Sequence, residues 1–299
     1  MAYRASATNA AMPLAKALAA RFQHQDFVRR YRKNSVAVVG LVLLIGMILV
    51  AIFAPTIAPY DPYEMHFTEK LRAPSAKYWL GTDEFGRDVL SRVIHGSRIS
   101  LYVGFLTVVI GCLIGTIIGL VSGYAGGWVD NIAMRIVDIM FAFPSILLAI
   151  AIMAFLGSSV NNVIIAVSIV NIPRFARNVR GPVLSVKEKE FIEAARAVGA
   201  GHLRIMFRHV LPNVTAPLIV AATVSLGFAI LAESSLSFLG LGTQPPTPSW
   251  GVMLSTAKGF MEIAPWMATF PGLAIMAVVL SINFVGDGLR DVLDPRLKT

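Results

Sequence analysis

The sequence predicts an all-α integral membrane protein with six transmembrane helices. Of its 299 residues, 56% are hydrophobic and only 14% are charged, and the mean hydropathy is +0.69. A soluble domain carries nearer a quarter of charged residues and could not hide this much apolar surface from water. Five windows of 24 to 35 residues contain no Asp, Glu, Lys or Arg, whereas about 20 apolar residues suffice for a helix to cross the hydrocarbon core.

These windows predict the positions of the six spans. They fall at about residues 35–56, 97–122, 130–156, 160–180, 213–234 and 266–287. The third and fourth spans share one window, which the polar turn FLGSSVNN at residues 155–162 divides. Pro144 and Pro173 lie inside these two spans and predict bends, because proline removes one helical hydrogen bond.

The distribution of Lys and Arg predicts the orientation. With the N-terminus inside, 19 of the 26 basic residues fall in segments 1–34, 123–135, 174–212 and the tail after residue 287. Basic residues beside spans are retained in the cytoplasm, so both termini are predicted to be cytoplasmic. This bias also explains the net charge of +9, and no nucleic-acid partner is predicted. The first span is long enough to remain as an anchor, so no cleaved signal peptide is expected.

No catalytic or metal-binding motif is found in the sequence. Residues 81–88, GTDEFGRD, have the glycine spacing of a phosphate loop, but Arg87 and Asp88 stand where Lys and Ser or Thr are required. The five histidines are scattered, and Cys112 is alone. The chain is therefore predicted not to be an enzyme and to hold no metal. The centres of the spans lack ionisable groups, which disfavours a gradient-driven carrier without excluding it.

The second span contains four glycines at strict four-residue spacing. They are Gly111, Gly115, Gly119 and Gly123. Small residues on one helical face allow two membrane helices to approach closely. We therefore predict that this face packs against another helix, in this chain or in a partner.

Residues 186–212 form a basic segment between spans that is predicted to fold as two short amphipathic helices. The apolar side chains repeat at helical spacing in both: Phe191, Ala194, Ala195 and Val198 in the first, and Leu203, Met206, Phe207 and Val210 in the second. Gly199 is expected to cap the first helix in a left-handed conformation, and Pro212 to end the second. Such a pair could lie on the inner leaflet or insert into a groove of a soluble partner.

Four stretches resemble signatures of one transporter family. Residues 193–213, EAARAVGAGHLRIMFRHVLPN, resemble the cytoplasmic EAA loop of ABC importer permeases. The positions that match its pattern are Glu193, Ala194, Ala195, Gly199, Leu211 and Pro212, while His209 replaces the usual Ile. Residues 80–101, 237–251 and 286–296 are similar to three further signatures of peptide-type permeases. Together they resemble the second permease subunit of dipeptide, oligopeptide, glutathione and nickel systems.

The resemblance implies the type I ABC importer fold in a bacterial inner membrane. It divides the chain into a cytoplasmic tail at 1–34, a first span with its periplasmic loop at 35–96, a transmembrane domain at 97–288 and a tail at 289–299. The chain would form half of a pathway for di- or oligopeptides, with glutathione, nickel or an opine-like solute as alternatives.

The resemblance also implies the partners. These are a second homologous permease, two cytoplasmic ABC ATPases that bind ATP and Mg, and a periplasmic solute-binding protein; the chain itself would hold no cofactor. Contact with the ATPase would come from the loop at about residues 186–212. The residues assigned to this coupling are Glu193, Ala194, Ala195, Gly199, Leu203, Met206, Phe207, Leu211 and Pro212. Substrate-binding residues are not predicted.

Overall fold

The computed structural model describes residues 29–293, and the regular structure of this part is helical. The helices are α1 Ser35–Ile52, α2 Ala54–Ile57, α3 Val89–Ala125, α4 Gly127–Phe141, α5 Ser145–Leu156, α6 Val160–Val186, α7 Glu190–Ala197, α8 His202–Phe238, α9 Trp250–Ala257 and α10 Trp266–Leu293. Short 3-10 turns occur at Phe67–Glu69 and Lys258–Phe260. Most of the predicted N-terminal tail, and residues 294–299 of the C-terminal one, lie outside the described residues.

Within residues 29–293, four helices are long and apolar enough to cross a membrane: α1, α3, α8 and α10. The predicted third span is not one straight helix, because α4 and α5 meet at 92°. Pro144, directly before α5, has a φ of −55° and a ψ of 129°, outside the helical region, so the bend predicted there is confirmed. If the bent pair counts as one span, the number of candidate spans rises to five.

The predicted fourth span forms α6, but α6 is not among these candidates. Its 27 residues are long enough to cross the membrane. However, Asn161, Asn162 and Asn171 and three arginines lower its hydropathy. The helix is instead shielded by its neighbours, since Ala166, Phe175 and other residues along it are fully buried. A buried central helix can carry polar groups that a lipid-facing helix cannot.

The bundle is organised around α6. It packs along α3 and also contacts α8, α5 and α4, while α10 packs against α8 and α1. The contact between α1 and α10 is close, because a Cβ atom on Gly40 would lie 2.5 Å from the Cβ atom of Phe284. Only Ala37, Gly40 and Ala51 of α1 are buried, so α1 lies on the outside of a core formed by α3, α6, α8 and α10.

The second amphipathic helix does not end at Pro212, and the prediction of a separate helix at 202–210 was wrong. Helix α8 continues from His202 to Phe238 through a π-helical turn at Ile205–Val210. In this turn Leu211 donates its backbone N–H to the carbonyl of Met206, five residues back. Because the wider turn shifts the hydrogen-bond register and Pro212 has no N–H to place, the proline is accommodated within the helix.

Candidate functional site

Residues 186–212 are fixed to the ends of α3 and α6 by an apolar cluster. Ile192 of α7 and Ile205 and Val210 of α8 are fully buried in this cluster, together with Val183 of α6. At the end of α3, the Tyr124 hydroxyl lies 3.1 Å from Nδ1 of His202 and forms a hydrogen bond with it. Helix α7 and the first turns of α8 are therefore anchored to the bundle and do not form a loose connection.

Gly199 ends α7 in the left-handed conformation expected from the sequence, with φ of +82°. Its N–H donates to the carbonyl of Arg196 over 2.9 Å, and the N–H of Ala200 donates to the carbonyl of Ala195 over 3.0 Å. These two bonds form a Schellman motif, which satisfies carbonyls that the helix end leaves free. Since a side chain is disfavoured at this φ, the sharp turn from α7 to α8 depends on glycine.

The predicted apolar faces of this segment are divided between core and surface. Exposed side chains are Phe191, Val198, Leu203 and Phe207, of which Val198 is 84% and Leu203 69% exposed. Ala195 and Met206, in contrast, are each only 8% exposed. Of the other residues assigned to coupling, Glu193, Ala194, Gly199 and Pro212 are exposed and Leu211 is half-buried. The segment thus presents exposed apolar side chains beside the exposed carboxylate of Glu193.

The four regularly spaced glycines of α3 lie against α6. A Cβ atom on Gly115 would come within 2.6 Å of the Cβ atom of Phe175 and 2.7 Å of the carbonyl oxygen of Ile172. One on Gly119 would overlap the carbonyl oxygen of Ala176. Gly111 and Gly123 make similar approaches along the same helix. The two backbones are therefore as close as the absence of side chains permits.

Two ion pairs tie α4 to α6. Arg180 donates to both carboxylate oxygens of Asp130, each over 2.6 Å, and Arg177 donates to Asp138 over 2.6 Å. The partners are 50 and 39 residues apart, so nothing in the local sequence pattern pairs them. The pairs fix α4 across the end of α6 on the same side as the 186–212 segment.

The opposite end of α8 contains a buried carboxylate that the sequence analysis did not identify. Glu233 is 1% exposed, and the Ser237 hydroxyl donates to it over 2.8 Å. The Ser234 hydroxyl lies 3.4 Å from its second carboxylate oxygen. The span was predicted to end at residue 234, which placed this acid at a boundary. The surrounding serines are the signal that could have revealed it, because a buried carboxylate needs donors.

The loop between α2 and α3 has no phosphate-binding geometry. The guanidinium of Arg87 is buried, with Nε donating to Asp83 over 2.6 Å and Nη2 to Glu84 over 2.8 Å. Burial raises the pKa of the Glu84 carboxyl, and the nearby Asp83 raises it further. The guanidinium of Arg87, the basic group of this loop, is thus already paired with two carboxylates. Among residues 29–293, no three His, Cys, Asp or Glu side chains are grouped as metal ligands would be.

Two family matches cover most of the chain. Residues 115–299 match the family described as binding-protein-dependent transport system inner membrane component. Residues 23–74 match the N-terminal transmembrane domain of oligopeptide transport permease C. The second match covers α1, which lies outside the helical core, and the first covers the end of α3, the glycine face from Gly115 onward and everything that follows.

Curated relatives are similar over nearly the whole length. The chain is 51% identical over 275 residues to the dipeptide transport system permease protein DppC of Alkalihalophilus pseudofirmus, covering 92% of this chain and 90% of that one. It is 50% identical over 297 residues to the glutathione transport system permease protein GsiD of Escherichia coli, covering 99% and 98%.

A solved structure has the same fold. The MetNI methionine ABC transporter, in an inward-facing form, aligns with a TM-score of 0.55 and 22% sequence identity, covering 67% of this chain and 96% of that chain. At this identity the likeness concerns the fold alone. The family matches and the curated relatives show that the chain belongs to the inner membrane permease components of binding-protein-dependent ABC transporters, in the DppC/OppC-type group.

Proposed function

We propose that this chain is one of two permease subunits of an ATP-driven importer for a dipeptide, glutathione or a related small peptide-like solute. The observation that carries the proposal is sequence identity: over nearly the full length, about half of the residues are identical to those of a dipeptide permease and of a glutathione permease. The two identities, 51% and 50%, do not separate these solutes. Dipeptides and glutathione are both short peptides, so the comparison supports a short peptide-like solute without identifying which one.

The proposed arrangement has six spans with both termini in the cytoplasm. Helices α1, α3, α8 and α10 supply four of them, the bent pair α4–α5 the fifth and the shielded helix α6 the sixth. The distribution of Lys and Arg supports this orientation. In this orientation, helix α9 and the loop between α2 and α3 would lie on the periplasmic side, where a solute-binding protein would dock.

The 186–212 segment is proposed to couple the permease to a cytoplasmic ATPase. Exposed Phe191, Val198, Leu203 and Phe207 would enter a groove on the ATPase, which would hold the ATP and Mg. Buried Ala195 and Met206 would not touch the partner but would hold α7 and α8 in place. Because this segment is anchored to α3 and α6, closure of the paired ATPases would move helices of the bundle.

Cysteine crosslinking tests this coupling. Cysteines at Val198 and Leu203, both well exposed, should crosslink to the ATPase subunit in the assembled importer. A cysteine at Trp79, which is 69% exposed in the loop before α3, is the matched control and should not. Crosslinks from the first two positions only to lipid would show that the segment is a membrane-surface helix and would refute the coupling role.

A pair of glycine substitutions tests the geometry of the turn. A Cβ atom at either Gly199 or Gly201 would meet nothing within 4 Å, but only Gly199 has a positive φ. Gly199→Val should therefore strain the turn and reduce ATPase association, whereas Gly201→Val should be tolerated. Equal association for the two variants would contradict a dependence on the turn.

Uptake measurements test the solute class. Proteoliposomes with the complete importer and its binding protein should accumulate labelled dipeptide or glutathione when supplied with ATP. Vanadate should abolish accumulation, and dissipation of ion gradients should not. Uptake that follows a proton or sodium gradient without ATP would favour the gradient-driven carrier instead.

A further inference from the structure

A groove on the outside of the bundle has no role in the proposed transport cycle. It has a volume of about 740 Å³ and lies between α1 and the first half of α3, and Leu226 of α8 also lines it. Ile48 and Ile52 form one wall, and Phe105 lies on the other. These three side chains are 41%, 60% and 62% exposed. These walls of the groove are therefore apolar, and no described part of the chain fills the groove.

One end of the groove is basic and polar. His95, Arg98 and Tyr102 lie on α3, and Tyr63 comes from the preceding loop. Arg98 is exposed, and no carboxylate among the described residues lies within ion-pair distance of it. By contrast, the neighbouring Arg92 and Arg87 are both engaged with Asp83. Arg98 is thus a cation beside an apolar groove and without an anion from the described chain.

The position of Arg98 along α3 places this cation near the membrane surface. Helix α3 has 37 residues, so it is about 55 Å long and exceeds the roughly 30 Å hydrocarbon core. Arg98 is the last charged residue before the 31 uncharged residues that follow it in the sequence. It therefore lies where the hydrocarbon core begins and lipid phosphates are found.

We propose that this groove binds a phospholipid, with its phosphate on Arg98 and an acyl chain along Ile48, Ile52 and Phe105. Free phosphate would use the basic end alone, and an apolar helix of a partner would fill the groove without supplying an anion. A phospholipid supplies both parts at the right depth. Since hydrocarbon gains little by moving from bulk lipid into an apolar groove, selection of this lipid rests on the charged hydrogen bond at Arg98. Assignment to the periplasmic leaflet rests on the proposed topology, but the site itself does not.

Photolabelling of the full chain in lipid nanodiscs tests the site. The probe is phosphatidylglycerol with a diazirine on its acyl chain, and labelled peptides are mapped by mass spectrometry. Label is expected in residues 44–52 and 98–105, and Arg98→Gln should lower it about tenfold, the effect of losing one hydrogen bond to a charged group. The matched control is Arg135→Gln on α4, which removes an exposed arginine away from the groove.

A second pair of variants tests occupancy without altering charge. Ile48→Trp fills the groove and should lower the labelling, whereas Val42→Trp changes an exposed residue of the same helix that does not line the groove and should not. Excess inorganic phosphate should not compete. Equal labelling of all lipid-facing helices, no effect of Arg98→Gln, or loss of the label when the second permease is assembled with this chain would each overturn the proposal. None of these outcomes bears on import itself.

Discussion

At the scale of single residues, the glycine face of α3 gives the sharpest prediction. Gly115→Leu should push α3 away from α6, because a Cβ atom there already approaches Phe175 to 2.6 Å. Overpacking of this kind costs about 1–3 kcal/mol. The expected result is a lower melting temperature in detergent and less assembled complex.

The control for this substitution is Gly46→Leu in α1, where a Cβ atom would meet nothing within 4 Å. Gly157 would be a poorer control, since its φ of +83° would strain any side chain whatever the space. A melting temperature equally lowered by Gly46→Leu would show that close packing is not the cause.

Glu233 gives the second prediction at this scale. Glu233→Ala removes the acceptor of Ser237 and leaves buried hydroxyls without a partner, at a cost of about 1–3 kcal/mol. Thermal unfolding of the purified chain should detect the loss. Glu262→Ala, at an exposed position between α9 and α10, should leave the unfolding temperature unchanged. If both variants unfold like the parent, the serine-lined carboxylate contributes nothing to stability.

Local features of single residues could be predicted from the sequence more readily than their burial and their packing partners. The spacing of the glycines and the left-handed cap at Gly199 are local properties, and local patterns predicted both features. Phe191 and Phe207 are exposed, whereas their neighbours Ile192 and Met206 are buried. This difference depends on where the bundle lies relative to each helix. Only the packed structure determines that, because helical periodicity gives a face but not its partner.

At the scale of elements, the loop between α2 and α3 is closed around Glu69. Its carboxylate accepts hydrogen bonds from the Tyr78 hydroxyl and from Nζ of Lys77. These contacts lower the pKa of Glu69, with the Tyr78 bond as the largest cause. A carboxyl with a depressed pKa in the folded state stabilises that state above its unfolded pKa, and the stabilisation disappears as the pH falls through the folded value.

We therefore expect Glu69→Gln to loosen this loop at neutral pH and to speed cleavage by trypsin after Lys70 and Arg72. In the parent chain the same opening should appear only as the pH falls below 4.5, the ordinary value for this carboxyl, as measured by hydrogen exchange. The control is Glu64→Gln, which alters an exposed carboxylate that lies 3.4 Å from Nε2 of His66. Equal cleavage of the two variants would contradict a closing role for Glu69.

Element boundaries were predicted less well than element types. Proline ended a helix at Pro144 but not at Pro212, although the sequence rule is the same in both places. Proline is also accommodated inside α6 and α10, at Pro173 and Pro271, and before Pro212 the helix widens into a π turn whose hydrogen-bond register accommodates the proline. Such a turn depends on the fixed positions of Ile205 and Val210 in the core, which no local pattern encodes.

At the scale of the whole molecule, the prediction concerns topology. Reporters fused after residue 70 or 250 should read as periplasmic, and a reporter after residue 190 should read as cytoplasmic, because 19 of 26 basic residues lie in the proposed cytoplasmic segments. Enzymatic reporters active on only one side of the membrane make this measurement. A cytoplasmic reading at residue 70 would reverse the orientation.

The number of spans shows why the whole molecule is harder to predict than its parts. Hydropathy detects helices that face lipid, and α6 does not need to be apolar on all sides because α3 and α8 surround it. Charge-free windows therefore located α6, while the criterion of mean hydropathy excludes it. Composition predicts the fold class, but whether a central helix can carry polar residues depends on the helices that pack around it.

The continuity of α8 has a mechanical consequence. Leu203 near its start and Glu233 near its end belong to one helix, and at 1.5 Å per residue they lie about 45 Å apart. In the proposed topology, helix α8 would act as a lever between the two membrane surfaces. A tilt of about 5° at the end that carries Leu203 would displace the other end by about 4 Å, by the same geometry. Since the Ser255 hydroxyl of α9 donates to the carbonyl of Phe238 at the end of α8 over 2.7 Å, that displacement would reach α9 without any change in secondary structure.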